Sequence, residues 1–139
     1  MPGCRATWTD GVRFVHTSPG GHALVTDAPA SAGGAGTAPS PMDLVLHALI
    51  GCVGVDLALM LAKMRQPFTG IELSAEAVRA ESHPRVYTRI ELHVAVRGAV
   101  DPRKLERAMR LSLDEYCSVG AMIRGTAQIV PTWEILATD

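Results

Sequence analysis

The 139-residue chain reads as an α+β domain. Three observations predict it. Leu44–Leu61 is an eighteen-residue apolar run broken by polar groups only at His47 and Asp56. Val86–Arg97 alternates apolar and polar residues, with Ile90, Leu92, Val94 and Val96 on one face, as a half-buried strand does. Leu105, Ala108, Met109, Leu113 and Tyr116 fall on one helical stripe, with Arg103, Lys104, Glu106, Arg107 and Arg110 opposite.

Each element has its own signal. Arg5–Thr9 and Val12–Thr17 flank Asp10-Gly11, a two-residue hairpin turn. Ser18-Pro19-Gly20-Gly21 turns the chain into a third strand, His22–Asp27. Ala28–Ala38 is a small-residue stretch without periodicity, expected to be a flexible approach to the long helix. Ser40 is that helix's N-cap, Pro41 its first residue, and Asp43 completes an S-x-x-D box. Lys63 and Arg65 occupy its last turn, and Pro67 and Gly70 follow. Ile71–Ala80 and Val86–Arg97, joined through His83-Pro84, form two long antiparallel strands with one buried face. Asp101-Pro102 opens a second helix running to about Tyr116. Cys117 breaks its pattern and starts a short turn or helix, Ser118–Arg124, and Gln128–Ile135 is the closing strand. The order βββ-α-ββ-α-β sets the helices against a curved antiparallel sheet.

Size implies one domain over residues 1–139. Thirteen Lys+Arg against fourteen Asp+Glu leave a net charge of −1, without the basic excess that nucleic acid or acidic lipid requires. With 47% hydrophobic and 19% charged residues the chain is not disordered, and 4% aromatics leave no stacking platform for single strands. Met1-Pro2-Gly3-Cys4-Arg5 carries no apolar signal region, and three widely spaced cysteines do not make a disulfide framework, so a cytoplasmic protein is expected. The apolar run is long enough to span a membrane, but Asp56 within it would cost about 2.5–3.5 kcal/mol on insertion and no second span accompanies it. It reads instead as a long buried central helix. A helix apolar on every face needs cover on every face, and a two-layer domain covers only one. A second copy is the expected cover, making an obligate homodimer. Gly51 and Gly54 each cost about 1 kcal/mol against Ala, which close approach of another backbone would explain.

Cys52 on the long helix and Cys117 after the second are the informative residues. If the two meet, one is an attacking thiolate and the other a resolving thiol, a pattern that reduces peroxides; if not, each is a small buried hydrophobe. His47 stands five residues before Cys52, about 140° round the helix, which disfavours a dyad; lining a pocket or the dimer contact is its lesser reading, a plain structural position the greater. Asp56, at i+4, shares the Cys52 face. A carboxylate there raises a neighbouring thiol's pKa, so Asp56 is better suited to a cation or a helix end. Glu115 and Arg124 flank Cys117 and either form surface salt bridges, the default, or serve as its polar shell. His83 and His93 lack ligand spacing, so no Cys/His cluster supports zinc and no metal is expected. Gly33–Gly36 lacks the features of a phosphate loop. Cys4, near the terminus, is an incidental thiol.

The run from Gly33 through Pro39-Ser40-Pro41-Met42-Asp43-Leu44, followed by Gly51-Cys52 and Asp56, resembles the OsmC/Ohr family, in the branch with a GPSPMELLL…GGC…D signature. Glu115-Tyr116-Cys117-Ser118-Val119 is similar to that family's E-x-C-P segment before its last strand, and the likeness covers nearly the whole chain. The resemblance implies an intertwined homodimer of α+β subunits, with a buried cysteine pair at each of two interfacial sites. It implies reduction of organic hydroperoxides without a cofactor: Cys52 peroxidatic, Cys117 resolving, and an external dithiol as reductant.

The chain departs from the family's pattern at informative places. Peroxidase members open the helix with Pro-Glu, eleven residues before the reactive cysteine, and the Glu orients an activating Arg. Pro41 keeps that spacing, but Met42 holds the Glu position and Asp43 is the nearest carboxylate, about 100° further round. Arg13 is the candidate cation, and Ser118 replaces the Pro after Cys117. Met42, His47, Asp56 and Glu115 are the candidate substrate-binding residues. The rival expectation is a non-catalytic dimer whose interface pocket binds an apolar small molecule.

Overall fold

The computed structural model describes residues 3–138, so Met1 and Pro2 of the N-terminal reading lie outside it. Two compact units partition the chain, one through His47 and one from Ala48.

The first unit is a three-stranded antiparallel sheet of β1 (Arg5–Asp10), β2 (Arg13–Thr17) and β3 (Ala23–Thr26), in that order. The hairpin turn falls one residue later than expected, on Gly11-Val12, with Gly11 in the left-handed region at φ 54°. Asp10 pairs with Arg13, and the register shifts between Trp8 and Asp10, so the strand bulges at Thr9. Residues 28–38, expected to be flexible, are organised around one carboxylate. Asp27 accepts hydrogen bonds from Ala28 N at 2.8 Å, Thr37 N at 3.0 Å and Thr37 Oγ1 at 2.6 Å. Ala30–Ala32 forms a 3-10 turn, and Gly36 N donates to Ala28 O at 2.9 Å. A side chain at Gly34 would collide with the Ala28 carbonyl, so only glycine fits there.

The boundary between the units falls within α1 (Pro41–Lys63). Its first turn carries the reciprocal cap expected: Asp43 N donates to Ser40 Oγ at 3.1 Å, and Ser40 N donates to Asp43 Oδ2 at 3.0 Å. Its end is closed differently from the expectation. Arg65, not a glycine, takes the left-handed position at φ 59°. Gln66 N then bonds Leu61 O and Arg65 N bonds Ala62 O, the paired bonds of a Schellman cap.

In the second unit β4 (Phe68–Arg79) and β5 (Tyr87–Gly98) pair antiparallel through eleven residue positions, with a cis His83-Pro84 peptide in their connection. Ile90, Leu92, Val94 and Val96 are all fully buried, as their alternation implies. The closing strand β6 (Gln128–Leu136) runs parallel to β5, which corrects the expectation of an antiparallel sheet throughout. Parallel neighbours require a crossover, and the segment between them supplies one: α2 (Pro102–Leu111), a π-helical turn at Ser112–Tyr116, and α3 (Ser118–Ile123). Asp101 caps α2, its Oδ1 accepting from Arg103 N at 2.9 Å, with Pro102 in the first turn. The π turn closes with Cys117 N bonded to Ser112 O at 2.7 Å. This extra residue per turn rotates Tyr116 off the buried stripe, and Tyr116 is exposed.

The long helix is buried along one row only, Leu49, Val53, Leu57 and Leu61. Val55 and Leu59 remain 60% and 67% exposed, which leaves an apolar face uncovered in the single chain. Gly54 faces Leu73 of β4, 3.4 Å from where a Cβ would stand, so its small size serves the chain's own packing. Gly51 faces open space. The helix is long and apolar enough to cross a membrane; its buried row and the protein partner of its Asp56 are features of a core helix.

Candidate functional site

Cys52 and Asp56 are one helical turn apart on α1, and their side chains share a face as the i,i+4 spacing requires. Cys117 reaches the same place from the N-cap of α3. The Cys52 and Cys117 sulfurs and a carboxylate oxygen of Asp56 all lie within 4.8 Å of one another. Cys52 and Asp56 are half-buried, whereas Cys117 is 2% exposed. The fold thus unites Cys52, Asp56 and Cys117, three of the residues singled out from the sequence. Their donor set of two sulfurs and one oxygen could hold a metal ion, a possibility that spacing along the chain did not suggest.

Two further residues fix this cluster. Ser112, fully buried, donates from Oγ to Asp56 Oδ2 at 2.8 Å. Gly120 N donates to Cys117 Sγ at 3.2 Å. Neither was picked out from the sequence. The signal for Ser112 was available: it lies seven residues after Leu105, on the stripe that should be apolar, and a hydroxyl there needs a polar partner. Gly120 leaves room for the sulfur, since a Cβ there would sit 3.3 Å from Cys117 Sγ.

The Cys117 thiol is pushed up to about 11. Burial is the main cause, and the Gly120 N–H works against it. The hydrogen bond and charge of Cys52 and the negative charge of Asp56 add to the rise.

The remaining candidates are placed as follows. Arg13 donates from Nη2 to Asp10 Oδ2 at 2.8 Å and from Nη1 to Thr37 Oγ1 at 3.2 Å, contacts that tie β2 to the loop around Asp27. Asp43 serves the helix cap with Ser40 and is exposed, and Met42 beside it is half-buried. His47 and Glu115 are exposed. Asp56 also lines a cavity of about 760 Å³ with Met60, Lys63, Lys104, Arg107 and Tyr116 among its walls. The strongest electrostatic perturbation in the first unit is at Asp27, whose carboxyl is held far below the usual carboxylate range by Thr37 hydroxyl and amide and by Ala28 N.

Comparison with known proteins agrees with this architecture. Residues 33–132 match the family described as OsmC-like protein. Protein YhfA of Escherichia coli K12 is 36% identical over 135 residues, covering 96% of this chain and 97% of YhfA. A hypothetical protein from Aquifex aeolicus superposes with a TM-score of 0.89 at 27% identity, covering 100% of this chain and 98% of that one. The organic hydroperoxide resistance protein OsmC of Legionella pneumophila superposes with a TM-score of 0.74 at 15% identity, covering 96% of each, a likeness of fold.

Proposed function

Because the chain belongs to the OsmC-like protein family, we propose that it reduces organic hydroperoxides with Cys52 and Cys117. The observation that carries this reading is the approach of the two sulfurs to within 4.8 Å, one half-buried and one buried. The Cys52 thiolate attacks the terminal peroxide oxygen, the O–O bond breaks, and the alcohol leaves with a proton. Cys117 then attacks the Cys52 sulfenic acid, a disulfide forms and water leaves. Closure needs the sulfurs to move to about 2.05 Å, a short travel for one side chain midway along α1 and one at the N-cap of α3. An external dithiol restores both thiols by exchange. The name of the Legionella relative supports the substrate class.

In this reading the chain acts as a cytoplasmic homodimer. Exposed Val55 and Leu59 on α1 are apolar surface that a second copy would cover. Arg13 remains the cation to test as activator of Cys52, although its two contacts give it a structural task already. The experiment is peroxide consumption with cumene hydroperoxide and dithiothreitol. Cys52→Ser should abolish turnover, and Cys117→Ser should stall it after one alcohol per site. Turnover unaffected by either substitution would refute the mechanism.

A second reading is favoured by Met42 at the family's Glu position and by the raised Cys117 thiol: a non-catalytic dimer that binds an apolar small molecule. Thiols that survive equimolar peroxide would select it.

A further inference from the structure

We propose that Cys52, Asp56 and Cys117 form a binding site for one thiophilic divalent cation, with zinc the ion that fits. Two thiolates and one carboxylate are a zinc donor set; magnesium and calcium take oxygen alone. The three donor atoms lie within 4.8 Å of one another. A tetrahedral zinc with bonds of about 2.3 Å to sulfur and about 2.0–2.2 Å to oxygen holds its donors about 3.6–3.8 Å apart, so closing the site takes about 1 Å at most. The fourth position is left to water.

The surroundings suit a metal better than they suit bare thiols. Ser112 Oγ engages Asp56 Oδ2 at 2.8 Å, which orients the carboxylate beside the two sulfurs. Gly120 N–H engages the Cys117 sulfur at 3.2 Å, the kind of outer hydrogen bond that steadies a metal thiolate. The position of Asp56 is the sharper argument. A carboxylate beside two sulfurs gathers negative donors at one point, an arrangement that a divalent cation makes favourable. Two ligands come from adjacent turns of α1 and the third from the N-cap of α3, so the geometry is held by helices rather than by a loop.

Binding releases two thiol protons to solvent and changes no oxidation state. Its consequence for redox chemistry rests on the proposed function above. Zinc occupies both sulfurs and shields them. Oxidation would run as one hydroperoxide, two zinc-bound thiolates and two protons giving one alcohol, one water, the Cys52–Cys117 disulfide and free zinc. The site then releases its ion in response to peroxide.

The test uses the full reduced chain carrying Cys4→Ser, which removes the exposed thiol, titrated with zinc chloride or cobalt chloride without peroxide. The expected result is one ion per chain, with thiolate-to-cobalt charge transfer and the visible bands of tetrahedral cobalt. Cys52→Ser and Cys117→Ser should lose the site. Asp56→Asn should weaken it at least ten-fold, and Ser112→Ala about ten-fold through loss of orientation. The cobalt spectrum of the parent chain needs no variant to fold, and absence of charge transfer there overturns the site. Zinc held equally well by Asp56→Asn and Ser112→Ala would also overturn it, leaving only two adventitious thiols. Peroxide consumption measured separately in chelator reports on the cysteine reaction, so failure of one proposal is not mistaken for failure of the other.

Discussion

The sulfur of Cys52, at mid-helix on α1, and the sulfur of Cys117, at the N-cap of α3, lie within 4.8 Å of each other while differing in exposure. In the proposed reaction that asymmetry suits half-buried Cys52 to meet the peroxide and buried, protonated Cys117 to resolve it.

The Cys117 thiol, pushed up to about 11, should make the proposed disulfide closure steeply pH-dependent. Only the thiolate attacks, so closure should speed about ten-fold per pH unit between pH 7 and pH 9. Rapid acid quenching and thiol trapping after one equivalent of peroxide would read this, and a flat profile would contradict it. The same shift links to stability. The folded pKa lies above the unfolded value of about 8.5, so stability is full below that pH and falls as pH rises toward 11. Cys117→Ala should flatten the alkaline part of the unfolding curve.

Asp27 should govern acid stability with the opposite sign. Its carboxyl is depressed by Thr37 and Ala28, so its contribution is full above the ordinary carboxylate pKa of about 4 and is withdrawn as pH falls below it. Asp27→Asn should lower the denaturation midpoint at pH 7 and weaken its acid dependence. Urea titrations at pH 7 and pH 2 measure both effects.

Arg65 at φ 59° is a non-glycine residue in the left-handed position of a Schellman cap. Arg65→Gly should therefore stabilise the chain by about 1 kcal/mol, an effect visible in chemical denaturation. Loss of stability would show that the Arg65 side chain contributes more than its backbone strain costs.

Gly51 discriminates the dimer. Among the described residues, nothing beyond the helix's own backbone lies within 4 Å of a Cβ placed there, so Gly51→Ala should stabilise an isolated subunit by about 1 kcal/mol. If a second backbone approaches this point, the same substitution should weaken self-association in sedimentation equilibrium. Unchanged association would count against a close backbone approach at Gly51.

Much of this was legible in the sequence for physical reasons. The Ser40–Asp43 box, the Asp101 cap and the buried face of β5 are local or periodic, and local rules fix them. Strand direction is not periodic: the alternation in Gln128–Leu136 is identical for either orientation, and only the intervening helices signal the crossover. Arg65 was read as a last-turn charge because its side chain is basic, although its backbone makes the cap. The loop after Asp27 looked flexible because its side chains are small, but its order comes from backbone amides turned toward one carboxylate. The meeting of Cys52 and Cys117 depends on tertiary packing and was available beforehand only through family resemblance. Ser112, a lone hydroxyl on an apolar stripe, was visible and passed over.

The most direct measurement is stoichiometric oxidation of the purified chain with cumene hydroperoxide, followed by thiol counting and disulfide mapping by mass spectrometry. Rapid loss of two thiols per chain, with a Cys52–Cys117 bond that Cys52→Ser abolishes, is the predicted result. Thiols that persist for minutes at equimolar peroxide, in the presence of a chelator, would contradict it and leave a fold whose cysteines serve another purpose.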